Sequence, residues 1–142
     1  MQVKEQTIYI DGLDKSGKDT IRDILIKKTN GRIFIVVRCQ LSQIVYSRIK
    51  RRNINEKFFI NDIVEDSRRG RKIFVLTAND NVIKERCKMT GERDISASDV
   101  KKHKKQFFKL IDELKSKVNI TVIDTSYDTP EQSAKKILEI LR

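Results

Sequence analysis

The chain has 142 residues, with 31 Lys or Arg against 20 Asp or Glu and a formal net charge of +11. Such a length suits one domain over 1–142 with a single core, and the positive balance suits a polyanion, either a triphosphate or a nucleic acid. No N-terminal apolar run has signal-peptide shape and no stretch nears bilayer-spanning length, so no membrane partner and a soluble, cytoplasmic location are expected; Cys39 and Cys87 are too few and too separate for a disulfide framework or a metal site.

The first element is an apolar, β-branched strand over 6–11. It runs into Gly12, Gly17 and Lys18, then into a helix over 18–29 with apolar positions at Ile21, Ile24 and Leu25. A strand, a glycine-bearing turn and a helix start form a phosphate cradle, because backbone N–H groups point inward at the anion and the helix adds its positive dipole end. The cradle residues are Gly12, Leu13, Asp14, Lys15, Ser16, Gly17, Lys18, Asp19 and Thr20, with Lys18 reaching the β- and γ-phosphates. After the Lys this P-loop pattern normally has Ser or Thr, whose hydroxyl sits on magnesium. Asp19 stands there instead, with Thr20 next. ATP and Mg2+ are the expected cofactors, with Asp19, Thr20 and Asp14 the candidate metal residues. A ligand-free strand-to-helix turn is the plainer alternative, and the strand and helix patterns on either side argue against it.

Further strands are expected over 32–38, 72–77 and 119–123, and helices over 41–52, about 58–69, 80–89, 99–117 and 130–141. Strands rich in Ile, Val and Phe that alternate with helices predict parallel pairing through right-handed crossovers, buried on both faces. The fold class is α/β: a three-layer α/β/α P-loop NTPase fold with a short, mostly parallel sheet of about four strands. Asn79 or Asp80 can cap the fourth helix and Ser98 the fifth, while Thr129 followed by Pro130 starts the last. Both cysteines read as buried or partly buried thiols. His103 reads as a solvated helix residue, and the pairs Phe58-Phe59 and Phe107-Phe108 as core-facing.

Four segments resemble the small P-loop nucleoside-monophosphate kinases of the thymidylate kinase type. DGLDKSGKDT is similar to that family's phosphate loop, and SGKDT also resembles the loop of phage deoxynucleoside-monophosphate kinases, which have Asp after Lys. VVRCQLSQIVYSRIKRR resembles the strand-ending Asp-Arg and the helix after it; the match implies that Arg38 contacts the acceptor or transferred phosphate, with Ser42 and Tyr46 beside the acceptor pocket. Val37 stands where the family has an acid that helps to hold the magnesium shell. That absence argues against full activity unless Asp11, Asp14 or Asp19 rebuilds the site. FVLTANDNVIKERCKMTGERD resembles the lid passage and implies that Arg86 and Arg93 close over the phosphates. NITVIDTSYDTPEQSAKKILEIL resembles the last strand, base-side loop and closing helix, which places Thr125, Ser126 and Tyr127 near the adenine.

The resemblance implies ATP-dependent phosphoryl transfer to a (deoxy)nucleoside monophosphate, dTMP or another, with Lys18, Arg38, Arg86 and Arg93 as catalytic residues. Only the stretch from Lys27 to Arg32 stands where the family has a further strand and helices, so the acceptor pocket is shallow, is completed by a second subunit in a homodimer, or takes another substrate. The short SGKDT loop is also compatible with a phage-encoded enzyme working in host cytoplasm. Basic runs at Arg48, Lys50, Arg51 and Arg52, at Arg68, Arg69, Arg71 and Lys72, and at Lys101, Lys102, Lys104 and Lys105 read first as solvated faces. On one surface they would make a polyanion track, which supports the competing reading of a nucleic-acid-binding P-loop protein, a polynucleotide kinase, or a non-catalytic nucleotide-binding module.

Overall fold

The computed structural model describes residues 3–13, 16–89 and 97–142. In chain order the elements are β1 (Gln6–Gly12), α1 (Lys18–Lys28), β2 (Ile33–Val37), α2 (Gln40–Ile49), α3 (Glu56–Arg68), β3 (Lys72–Thr77), α4 (Asp80–Met89), α5 (Ala97–Leu114), β4 (Ile120–Asp124) and α6 (Pro130–Leu141). Among the described residues the sheet is wholly parallel, in the order β2-β1-β3-β4. Side chains alternate across a strand, so each central strand fills two cores. Ile8, Ile10, Phe74 and Leu76 pack with Ile21 and Leu25 of α1 and Ile137 and Leu138 of α6. Tyr9, Ile73 and Val75 pack on the other face with Leu41, Ile44, Ile63, Phe107 and Leu110 of α2, α3 and α5. The result is the expected three-layer α/β/α fold.

The chain leaves β1 through α1 toward the β2 edge, recrosses to β3, and then leaves β3 toward β4. Successive crossovers therefore diverge between β1 and β3, and the crevice at the carboxyl ends of diverging strands is where α/β sheets bind ligands. Registers Ile10↔Val37, Gly12↔Leu76 and Thr77↔Asp124 align the strand ends along one rim.

The start of α6 follows the sequence closely. Thr129 accepts from the Gln132 N–H at 3.2 Å, the Gln132 side chain accepts from the Thr129 N–H at 2.8 Å, and Pro130 opens the first turn, a capping box. Three expectations are corrected. Phe58 and Phe108 are exposed at 62% and 43%, because adjacent helical residues point about 100° apart and only Phe59 and Phe107 turn toward the core. His103 is half-buried, with its ring edge-on to Tyr46 at 5.1 Å between centroids. Helix α2 ends at Ile49, short of 52, because Arg51 takes φ 53 and the Arg52 N–H folds back onto the Ser47 carbonyl. The basic runs are also partly engaged: Arg48 bridges Glu56 and Glu113 at 2.9 and 3.1 Å, and Arg71 pairs with Asp66 at 3.2 Å.

Candidate active site

The P-loop leaves β1 at Gly12, whose φ of 127 suits glycine. A Cβ at this position would lie 2.1 Å from the Leu76 carbonyl oxygen, so the glycine is required by the closeness of β3 as well as by the turn. The Leu13 N–H donates to that same carbonyl at 3.2 Å. Ser16 is buried, and its Oγ donates to the Leu13 carbonyl at 2.5 Å. Gly17 takes φ 95 as the residue before α1. Lys18 is 7% exposed, and its Nζ donates to the carbonyls of Gly12 at 3.0 Å and Leu13 at 2.7 Å. A buried ammonium is costly unless its protons are bonded; here the loop's own carbonyls satisfy it at the rim. Asp14 and Lys15 lie outside the described residues.

The two side chains after Lys18 are open to solvent. On α1 the buried positions are Lys18, Ile21 and Leu25, which leaves Asp19 and Thr20 exposed. Asp19 pairs with Arg22 one turn on, at 3.2 Å, with its side chain 76% exposed.

Asp11 has a structural role that the sequence reading did not give it. It is fully buried. Its Oδ1 accepts from the Gly12 N–H at 2.8 Å and from the Ser42 hydroxyl. Its Oδ2 accepts from the N–H groups of Cys39 at 3.1 Å and Ser42 at 3.0 Å, and from the Cys39 thiol at 3.2 Å. A carboxylate from β1 thus caps α2, satisfying N–H groups that no helical carbonyl reaches. The available signal was an acid closing the apolar run Thr7–Ile10, a placement that demands buried partners. Asp11→Asn keeps the volume but turns an amide N–H₂ toward donors; it is expected to cost about 2 kcal/mol of stability, read as a lower urea midpoint at unchanged slope.

Arg38 sits between these anchors. Its backbone takes φ 69, its N–H donates to the Ile10 carbonyl at 2.8 Å, and its side chain is exposed at the rim. Ser42 is buried with its hydroxyl committed to Asp11, and Tyr46 lies one turn on against His103. Val37 ends β2 half-buried and packs on the α1 side of the sheet.

The opposite wall converges on Thr125. This buried residue follows β4, and its hydroxyl lies 3.1 Å from the Ser16 carbonyl and 3.2 Å from the Thr77 carbonyl. Arg86, from α4, donates to the Thr125 hydroxyl at 3.2 Å and its carbonyl at 2.9 Å. Burial lowers the Arg86 pKa, and the nearby Asp124 opposes that effect. The Asp124 carboxyl is held below its ordinary value chiefly by the Ser126 hydroxyl and N–H, at 2.6 and 2.9 Å. Asn79 joins the same loop, with its N–H on the Ser126 Oγ at 2.7 Å and its amide on the Tyr127 hydroxyl at 2.9 Å, while the Tyr127 residue stays 86% exposed. Lys18, Arg86 and the loop from Thr125 to Tyr127 are therefore linked through the P-loop. Arg38, Ser42 and Tyr46 stand on the β2 side, and Arg93 lies outside the described residues.

Burial, and then Asp11, push the Cys39 thiol well above its ordinary pKa of 9.0. A folded-state value above the unfolded one gives a contribution complete below the unfolded pKa and lost as pH rises. Stability should therefore decline above about pH 9, and Cys39→Ala should flatten that decline in urea unfolding followed across this range. A wild-type profile no steeper than the variant's would contradict it.

A parallel α/β/α sheet with a lysine-bearing P-loop at its switch point is the architecture of the P-loop nucleotide kinases, and this chain has their fold. It is similar to YorR protein of Bacillus subtilis, solved in complex with phosphorylated GDP, with a TM-score of 0.79 and 18% identity over 95% of each chain. It is also similar to thymidylate kinase of Candida albicans (TM-score 0.62, 16% identity, 99% of this chain and 92% of that one). Deoxyadenosine kinase of M. mycoides, solved with bound dCTP, gives a TM-score of 0.64 at 12% identity over 95% and 98%. No protein-family model and no curated protein sequence matches the chain.

Proposed function

We propose that the protein transfers the γ-phosphoryl group of ATP to a (deoxy)nucleoside monophosphate. The observation that carries this reading is the Lys18 ammonium, held by two P-loop carbonyls at the crevice between β1 and β3. Phosphate oxygens of ATP replace those carbonyls as its partners, and loop N–H groups with the α1 N-terminus take the rest of the charge. Arg38 meets the acceptor phosphate from the β2 side. Arg86, with Arg93, neutralises charge on the group in transit, a role in which a guanidinium can bond two oxygens at once. Transfer is direct, since positioning and electrostatics supply most of the catalysis in this chemistry. Thr125, Ser126 and Tyr127 line the side for the donor's base, and Asn79 holds the Tyr127 ring for contact with it.

Magnesium in such sites is held largely by the substrate phosphates, with one or two protein oxygens. Thr20 or Asp19 on the first turn of α1 fits that modest demand, as does Asp14; Asp11 is saturated by donors from Gly12, Cys39 and Ser42. The metal would neutralise charge between the β- and γ-phosphates.

The direct test incubates the protein with magnesium ATP and, separately, dTMP, dGMP, GMP, the remaining deoxynucleoside monophosphates and a 5′-hydroxyl oligonucleotide. The guanosine acceptors are included because of the phosphorylated GDP in YorR. Transfer to a monophosphate is expected; transfer to the oligonucleotide alone, or ATP binding with no transfer, overturns the reading. Val37→Asp places a carboxylate at the end of β2, beside the P-loop strand, and should raise magnesium-dependent turnover. Unchanged turnover in a folded Val37→Asp would assign the metal to the residues after Lys18 instead.

A further inference from the structure

The helix with the most lysines, α5, is also among the most amphipathic. Val100, Phe107, Leu110 and Leu114 bury one side of α5 in the core, while Lys101, Lys105 and Phe108 follow one another at helical spacing on the exposed side. Among the described residues neither Lys101 nor Lys105 forms an ion pair, whereas Lys104, between them in sequence, is paired with Asp80 at 2.8 Å. Phe108 is 43% exposed and forms, with Phe107 and Lys104, one wall of a crevice whose other wall includes Leu13 of the P-loop.

Two unpaired cations one helical turn apart, about 6 Å along the axis, do not converge on a single phosphate. Cations in a row with an exposed aromatic face at the end of the row suit a polymer that alternates phosphate and base. The net charge of +11 adds long-range attraction for the same class of partner. We propose that the outer stripe of α5 binds single-stranded nucleic acid, its phosphodiester backbone lying along Lys101 and Lys105 and one base stacked on Phe108. This binding is separate from phosphoryl transfer and needs no ATP.

The test is fluorescence anisotropy of a labelled oligothymidylate without nucleotide, titrated with the wild type, Phe108→Ala and the double variant Lys101→Gln/Lys105→Gln across a range of salt. All three substitutions are at exposed positions, and circular dichroism confirms folding. The wild type should bind, more weakly as salt rises. The lysine variant should lower the slope of log affinity against log salt by about 1.4, two single-strand phosphate contacts. Phe108→Ala should weaken binding about tenfold with the slope kept. No binding at low salt, or a slope unchanged in the double variant, overturns the proposal. Binding that Phe108→Ala leaves intact and inorganic polyphosphate displaces equally well overturns it too, because any polyanion would then serve. Monophosphate turnover is expected to be unchanged in all three proteins, so failure here is distinguishable from failure of the kinase reading.

Discussion

Lys18→Ala is expected to abolish phosphoryl transfer while leaving the protein folded. Removing one charged donor from a developing phosphoryl charge costs on the order of 100- to 1,000-fold in turnover, and Lys18 is the cation enclosed by the P-loop itself. The cost to the fold is smaller. The Gly12 and Leu13 carbonyls lose their ammonium donor, a change of about 1 kcal/mol for each net hydrogen bond, while Ile21 and Leu25 keep α1 docked. Turnover with the best acceptor, ATP binding and the thermal midpoint should be measured together. Turnover within a few-fold of wild type would remove the kinase assignment. Loss of turnover with a collapsed thermal midpoint would show that Lys18 serves the fold.

Gly12→Ala should be the most damaging small substitution in the chain, with a loss of about 4 kcal/mol or more. The new methyl would meet the Leu76 carbonyl oxygen at 2.1 Å and its nitrogen at 2.7 Å, at a φ of 127 that alanine also resists. Backbone cannot rotate aside as a side chain can, and β3 is pinned by its pairing with both β1 and β4. Gly17→Ala is the control. It shares the positive φ, but its nearest neighbour is the flexible end of Ile21 at 3.7 Å, so only the conformational cost of about 1 kcal/mol is expected. Urea midpoints of the two variants differing by less than about 1 kcal/mol would show that the strands can separate at this point.

The parts of the molecule legible in the sequence are those written in local pattern. IFVLT becomes a central strand with both faces buried, IFIVV becomes an edge strand that leaves Phe34 exposed against the expectation of burial on both faces, and Thr129-Pro130 starts a helix because the cap chemistry is contained within four residues. What escaped depends on which distant residue arrives. Asp11 beside a glycine reads as a turn former or metal ligand until Cys39 and Ser42 bring their N–H groups to it. Gly12 reads as a flexible turn until Leu76 packs against it. Phe58 and Phe108 read as core because each adjoins a phenylalanine that does pack inward, and a doublet hides which member faces out. Arg48 in a run of bases reads as solvated, although Glu56 and Glu113 come from outside that run to meet it.

The Thr125 junction also bears on how the protein is made. Its hydroxyl and carbonyl gather Ser16, Thr77 and Arg86 into one junction, and α6, the last helix, lies against α1 directly behind the P-loop. Chains emerge from the ribosome N-terminus first. The phosphate loop is therefore synthesised before β3, which receives the Leu13 N–H, and before Thr125, which bonds the Ser16 carbonyl. A nascent chain should leave the Ser16 carbonyl unbraced until β4 and the loop after it have emerged.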